Sequence, residues 1–127
     1  CTALLIITHN LGVVARYARR VVVMYAGKII ETADSLGIYG DPRHPYTLGL
    51  LKSVPRLDAE KGAKLVPIEG LPPELVDMPA GCSFAPRCRY TIVRCREESP
   101  PLMPVADGHE SACWRAAELA EISVEAV

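Results

Sequence analysis

The chain has 127 residues, 50% of them hydrophobic and 23% charged, with a formal net charge of -1 at pH 7. This length suits one domain that buries roughly two thirds of its unfolded surface, and the near-neutral charge gives no electrostatic reason to expect binding to nucleic acid or to an anionic membrane. The longest uninterrupted apolar run, Val21 to Ala26, is far shorter than the roughly 20 residues of a membrane-spanning helix, so the sequence predicts no membrane span.

The first predicted elements are a strand and a helix separated by a polar loop. Ala3 to Ile7 is a short apolar run rich in branched residues, which is typical of a buried parallel strand. Asn10 is a favourable N-cap for an amphipathic helix over Leu11 to Arg19. His9 would then follow the carboxyl end of a central strand, where open α/β sheets bind ligands.

A hairpin and two short helices come next. Val21 to Tyr25 and Lys28 to Thr32 flank Ala26-Gly27, a tight turn in which glycine takes the positive φ that a hairpin requires. Asp34 predicts the start of a helix that runs through Tyr39 and closes at Gly40, and Pro45 predicts the first turn of a helix that ends near Ser53. We expect a packing and capping role for His44.

The composition changes at Pro55. Eight of the eleven prolines lie between Pro67 and Pro104, and such a stretch does not form long helices or central strands. The sequence therefore predicts a folded segment over residues 1–54, a linker over 55–64, a small loop-rich module over 65–115 and a tail over 116–127.

Four of the five cysteines fall in the loop-rich module. Cys82, Cys88, Cys95 and Cys113 form a C-x5-C-x6-C-x17-C pattern in a segment with too little apolar surface to stabilise itself. From the spacing alone, an iron–sulfur cluster, zinc, disulfides and free thiols remain open, although zinc usually prefers shorter C-x2-4-C pairs. Cys1 is expected to be free and His109 to be a surface residue.

Several motifs occur in one order along the chain. Ile6 to Ala15 resembles the switch-histidine segment of ATP-binding cassette domains, and three later motifs resemble the ATP-binding subunits of dipeptide and oligopeptide import transporters. These motifs are DPRHPYT at Asp41–Thr47, SVPRLD at Ser53–Asp58 and PAGCSFAPRC at Pro79–Cys88. The matching motifs run from about Ala3 to Trp114.

The resemblance implies an α/β fold: the C-terminal part of an ABC ATPase domain, with few strands plus helices, followed by the cysteine-containing extension of this family. It implies a parent subunit that uses ATP and magnesium to power peptide import from the inner face of the cytoplasmic membrane, with a second ATP-binding subunit and permease subunits as partners. His9 would contact the γ-phosphate and orient the attacking water. Asn10 stands where the family commonly has an aspartate, which puts contacts across the dimer in doubt.

The chain starts at Cys1 and contains no G-x-x-x-x-G-K-[S/T] loop, so we expect a fragment that does not hydrolyse ATP alone. Its first strand would lack neighbours, and an apolar strand edge favours self-association. The alternative functions are a stand-alone metal-binding or redox module and an interaction fragment with unbound thiols.

For the four cysteines, the resemblance implies a [4Fe–4S] cluster. Apolar side chains would then shield it and cationic side chains would offset its negative charge. The expected shielding residues are Phe84, Pro86 and Pro101, and the expected cationic residues are Arg87, Arg89 and Arg94.

Overall fold

The computed structural model describes residues 2–53 and 80–119 of the chain. Cys1, the predicted linker at 55–64 and most of the predicted tail lie outside these residues. The described fold is mixed α/β, as expected, with short helices around one four-stranded antiparallel sheet. Within the described part of the chain, no helix has the length and apolar character needed to cross a membrane.

The elements are short. The helices are α1 (Leu11–Tyr17), α2 (Ser35–Gly40), α3 (Pro45–Lys52) and α4 (Val93–Glu97), with a 3-10 turn at Ala85–Arg87. The strands are β1 (Arg20–Tyr25), β2 (Lys28–Asp34), β3 (Met103–Ala106) and β4 (His109–Ser111), in the sheet order β1-β2-β4-β3.

Local signals in the sequence account for the N-terminal elements. The side chain of Asn10 accepts hydrogen bonds from the first amides of α1, and that of Asp34 accepts one from the Gly37 amide at 2.7 Å. Ala26 and Gly27 both have positive φ, 51° and 78°, which is the conformation of a tight two-residue hairpin turn. The predicted hairpin, both N-caps and the helix at Pro45 are therefore confirmed.

The strand predicted over Ala3 to Ile7 is wrong for this structure. These residues belong to no strand, and the side chains of Leu4, Leu5 and Ile7 are 81%, 85% and 91% exposed. A strand requires a hydrogen-bonded neighbour, and none of the four described strands pairs with this segment. The α1 helix also ends at Tyr17 rather than Arg19, because Ala18 is already extended.

The sheet joins the two described segments of the chain. Strand β2 pairs with β4 through Glu31 opposite Ser111 and Thr32 opposite Glu110, and the Ala112 amide donates to the Ile30 carbonyl at 2.7 Å. The N-terminal hairpin and the cysteine-bearing segment thus share one sheet. The division into separate modules remains a prediction.

The core also draws on both segments. Residues alternate between exposed and buried along β1, so that Val21, Val23 and Tyr25 face inward. Phe84 from the cysteine-bearing segment is 3% exposed, and its ring centroid lies 5.2 Å from that of Tyr25 and 5.5 Å from that of Tyr46. Phe84 therefore packs the second segment onto the first.

A buried polar contact fixes the centre of the sheet. His109 Nε2 lies 2.5 Å from Glu31 Oε2, and both residues are buried. The same carboxylate oxygen accepts the Arg43 amide at 2.8 Å, and the Ser111 hydroxyl donates to the Arg43 carbonyl at 2.7 Å. The expectation that His109 is a surface residue is wrong, because β4 carries it into the interior beside Glu31.

Burial has an electrostatic consequence at this contact. It raises the pKa of Glu31 above its ordinary value, although the hydrogen bonds from His109 and the Arg43 amide act in the opposite direction. The charged carboxylate therefore depends on these donors, and loss of either one leaves a poorly compensated buried group.

We expect His109→Ala to lower the free energy of unfolding by about 3–5 kcal/mol, because it leaves the Glu31 carboxylate buried without its side-chain partner. Glu31→Gln should cost less, since the amide oxygen still accepts from Arg43 and no charge is buried. The measurement is urea unfolding followed by circular dichroism. Glu118→Ala, which removes an exposed pair with Arg115, is the control and should change stability by less than about 1 kcal/mol. An equal effect of His109→Ala and Glu118→Ala would contradict this role.

Candidate functional site

One cavity is lined by all four cysteines of the loop-rich segment. The cysteines that line it are Cys82, Cys88, Cys95 and Cys113. The N-terminal segment contributes His44 and Pro45, and the rest of the wall comes from residues between positions 84 and 115. The space between the side chains, including the part open to solvent, amounts to about 320 Å³. Cysteines far apart in the sequence thus line the same cavity.

Backbone contacts bring the cysteines together. The Cys82 amide donates to the Cys95 carbonyl at 2.7 Å, and a Cβ atom at Gly81 would lie 2.2 Å from that carbonyl oxygen. Only glycine permits this close approach. The 3-10 turn then carries the chain from Cys82 to Cys88, α4 holds Cys95, and β4 leads into Cys113.

The four thiols are unbridged and poorly hydrated. Burial raises the pKa of Cys82, raises that of Cys88 to about 11, and raises that of Cys113 to about 12. These thiols are therefore protonated at neutral pH when nothing is bound. Binding of a metal would release protons and would strengthen as the pH rises.

The arrangement does not suit one small ion. Among residues 2–53 and 80–119, no group of three or more His, Cys, Asp or Glu side chains is arranged to hold a metal ion. A tetrahedral zinc ion needs four ligand atoms at about 2.0–2.3 Å from one point. The four thiols line the cavity without forming such an arrangement among the described residues.

His44 forms part of the cavity wall and is held neutral. Burial lowers its pKa to about 3, and its Nδ1 accepts the Tyr46 amide at 3.1 Å at the start of α3. A further hydrogen bond joins its ring to the backbone of Ala112, the residue before Cys113. The predicted capping and packing role of His44 is confirmed. Its position in the wall of the cysteine cavity was not predicted from the sequence.

Only part of the expected surroundings was placed correctly. Phe84 lines the cavity, but Pro86 and Pro101 are exposed and do not, and Pro100 lines it instead. Arg94 lies over the Trp114 ring at 3.6 Å and pairs with Glu98, whereas Arg87 donates to the Tyr25 hydroxyl. The predicted charge-offsetting role of Arg87, Arg89 and Arg94 remains a prediction.

Sequence reasoning missed three polar neighbours of the cysteines. Arg115 lines the cavity, donates to the Tyr90 carbonyl at 3.0 Å and pairs with Glu118. Trp114 and Arg115 directly follow Cys113, and this adjacency was a usable signal. Thr91 also lines the cavity, and nothing in its sequence context distinguished it.

His9 lies apart from the cysteine cavity. It is exposed in the loop before α1, between Thr8, whose hydroxyl accepts the Asn10 amide at 3.0 Å, and the Asn10 cap. The Tyr39 hydroxyl donates to the Leu11 carbonyl and so fixes the start of α1. His9 is therefore accessible to solvent in the loop before α1. Its catalytic role remains a prediction.

A comparison with models of known protein families gives a match. Residues 30–95 match the family described as the oligopeptide/dipeptide transporter, C-terminal region. The chain belongs to this family. The match covers most of β2, all of α2 and α3, and three of the four clustered cysteines, Cys82, Cys88 and Cys95.

The chain is also similar to curated proteins that are named as ATP-binding proteins of peptide transport. The oligopeptide transport ATP-binding protein OppD of Mycobacterium tuberculosis is 55% identical over 87% of the chain and 18% of the relative. A putative peptide import ATP-binding protein of Brucella ovis is 50% identical over 92% of the chain and 36% of the relative. The dipeptide transport ATP-binding protein DppD of Bacillus subtilis is 48% identical over 96% of the chain and 36% of the relative. The chain thus spans about a third or less of the length of these relatives.

We expect Gly81→Ala to disrupt the cysteine cavity, because the added Cβ would overlap the Cys95 carbonyl and the backbone of Arg96. The free energy of unfolding should fall by about 1–3 kcal/mol, and the buried Cys95 thiol should react faster with a thiol reagent. Gly40→Ala is the matched control, since nothing lies within 4 Å of a Cβ at that position. Unchanged thiol reactivity in Gly81→Ala would contradict the close approach.

Proposed function

We propose that the chain is the C-terminal part of the ATP-binding subunit of a peptide importer, and that its four clustered cysteines ligate one [4Fe–4S] cluster. The observation that carries the cluster assignment is the single cavity lined by Cys82, Cys88, Cys95 and Cys113. The assignment to a peptide importer is supported by relatives named as oligopeptide and dipeptide transport ATP-binding proteins.

In the complete subunit, ATP and magnesium bind to residues outside this chain, and His9 contacts the γ-phosphate and orients the attacking water. The exposure of His9 at the start of a capped helix supports this role, because the side chain can reach a nucleotide held by other parts of the protein. The subunit pairs with a second ATP-binding subunit and docks on permease subunits at the inner face of the cytoplasmic membrane. ATP hydrolysis then drives peptide import.

The apolar side chains of Leu4, Leu5 and Ile7 fit this placement. They are 81–91% exposed here, and other parts of the complete subunit would cover this apolar segment. In the isolated chain, the same exposed segment favours self-association.

The donor set fits an iron–sulfur cluster. Such clusters are held by four cysteine thiolates, and the four thiols that line the cavity supply that donor set. When bound, the cluster supplies a redox-active or structural metal–sulfur centre. Phe84 excludes water from one side of the cavity, while His44 and Pro45 form the part of the wall that comes from the N-terminal segment.

Occupancy of the cavity would stabilise the junction between the two segments. Pro45 of α3, its N-cap His44 and residues of the cysteine-bearing segment line the same cavity, so a group that binds only the folded arrangement stabilises both segments. The cluster thus stabilises the fold of the loop-rich segment, with or without a redox function.

We expect protein purified without oxygen to be brown and to contain about four irons per chain. Cys95→Ser should lose most of this iron and its visible absorption, because the cluster loses one of its four thiolates. Cys1→Ser is the matched control and should retain the iron, since Cys1 lies outside the C-x5-C-x6-C-x17-C pattern. Stoichiometric zinc without colour, or equal iron loss in both variants, would refute the cluster.

We expect His9→Ala, made in the complete subunit assembled with its partners, to lower ATP hydrolysis by about 100-fold or more, because the attacking water loses its positioning group. ATP binding should persist, since the phosphate-binding residues are unchanged. Hydrolysis is measured as phosphate release and binding by a fluorescent ATP analogue. The control is Asp107→Asn, in the exposed turn between β3 and β4. Unaltered hydrolysis in His9→Ala would exclude the role of His9.

A further inference from the structure

Thr91 carries a buried hydroxyl that has no hydrogen-bond partner among the described residues. Its Oγ1 is shielded from solvent, and the residue lines the cavity of the four cysteines. A buried hydroxyl without a partner is unfavourable, and native proteins seldom retain one without a reason. No residue in the described part of the chain supplies this partner, and a group bound in the cavity would be placed to do so.

The position of Thr91 points to sulfur as that partner. It lies between Cys88 and Cys95 in the sequence, directly after Tyr90, whose amide donates to Cys88 Sγ at 3.3 Å. Protonated thiols are weak acceptors. Thiolates and bridging sulfides carry negative charge and accept hydrogen bonds more strongly.

A capping role does not explain the hydroxyl. The N-cap of α4 is Ile92, and no side chain caps that helix. The hydroxyls of Thr32 and Thr47 are also buried, but these residues do not line the cavity. Thr91 alone among these three residues is placed at the cysteines.

We propose that the Thr91 hydroxyl donates a hydrogen bond to a bridging sulfide of the bound cluster and thereby raises the reduction potential of the cluster. This inference rests on the cluster proposed above. A hydrogen bond to sulfur stabilises the more negatively charged reduced state more than the oxidised state, and such bonds are among the groups that set cluster potentials.

The test is a redox titration of the complete, cluster-loaded subunit under anaerobic conditions, followed by electron paramagnetic resonance. Thr91→Val preserves the shape of the side chain and removes the donor, and it should lower the midpoint potential. A tenfold change in the one-electron reduction equilibrium corresponds to 59 mV, and we expect a shift of about this size. Thr91→Ser keeps the hydroxyl and should retain the wild-type potential, as should Ser99→Ala at an exposed position near the cavity.

A second measurement tests Thr91 in protein that contains no cluster. In metal-free protein, Thr91→Val should raise the melting temperature, because it removes a buried hydroxyl that has no partner. A lower melting temperature would mean that the hydroxyl already has a protein partner and would overturn the inference.

The outcomes separate the two proposals. Normal iron content with an unchanged potential in Thr91→Val would overturn the role of Thr91 and leave the cluster intact. Absence of iron from the unaltered protein would refute the cluster itself and, with it, the hydrogen bond.

Discussion

The buried contact between Glu31 and His109 links residues that are 78 positions apart and fixes the register on which the rest of the structure depends. Glu31 lies on β2 and His109 on β4, and the amide that also bonds this carboxylate belongs to Arg43, just before α3. A charged group is stable in this interior only when its donors are in place. One polar contact thus holds the hairpin, the entry to α3 and the second half of the sheet together.

The cysteine cavity is a consequence of this arrangement. Cys113 follows β4 by two residues, so its thiol is placed by the same strand that carries His109. Phe84 packs against Tyr25 and Tyr46 and thereby holds the Cys82–Cys88 turn against the N-terminal core. The cavity is therefore formed by both segments, which explains how a loop-rich stretch keeps four cysteine side chains at one cavity.

The local elements followed from the sequence, whereas the long-range contacts did not. Asn10, Asp34, Pro45 and Ala26-Gly27 act through neighbouring backbone, so their caps and turns were predictable. The strand at Ala3 to Ile7 failed because pairing depends on distant residues, and His109 was misplaced for the same reason: its partner Glu31 has no signal in the local pattern. The four cysteines were found from their spacing, but Thr91 and His44 reached the cavity through tertiary packing.

The most direct test of the joint cavity and its cluster is X-ray absorption at the iron edge on anaerobically purified protein. Four cysteines around one [4Fe–4S] cluster predict a sulfur shell about each iron together with a second shell of iron neighbours. An iron spectrum with sulfur neighbours but no iron–iron shell would contradict the cluster, and metal bound only as zinc would contradict the assignment of the cavity.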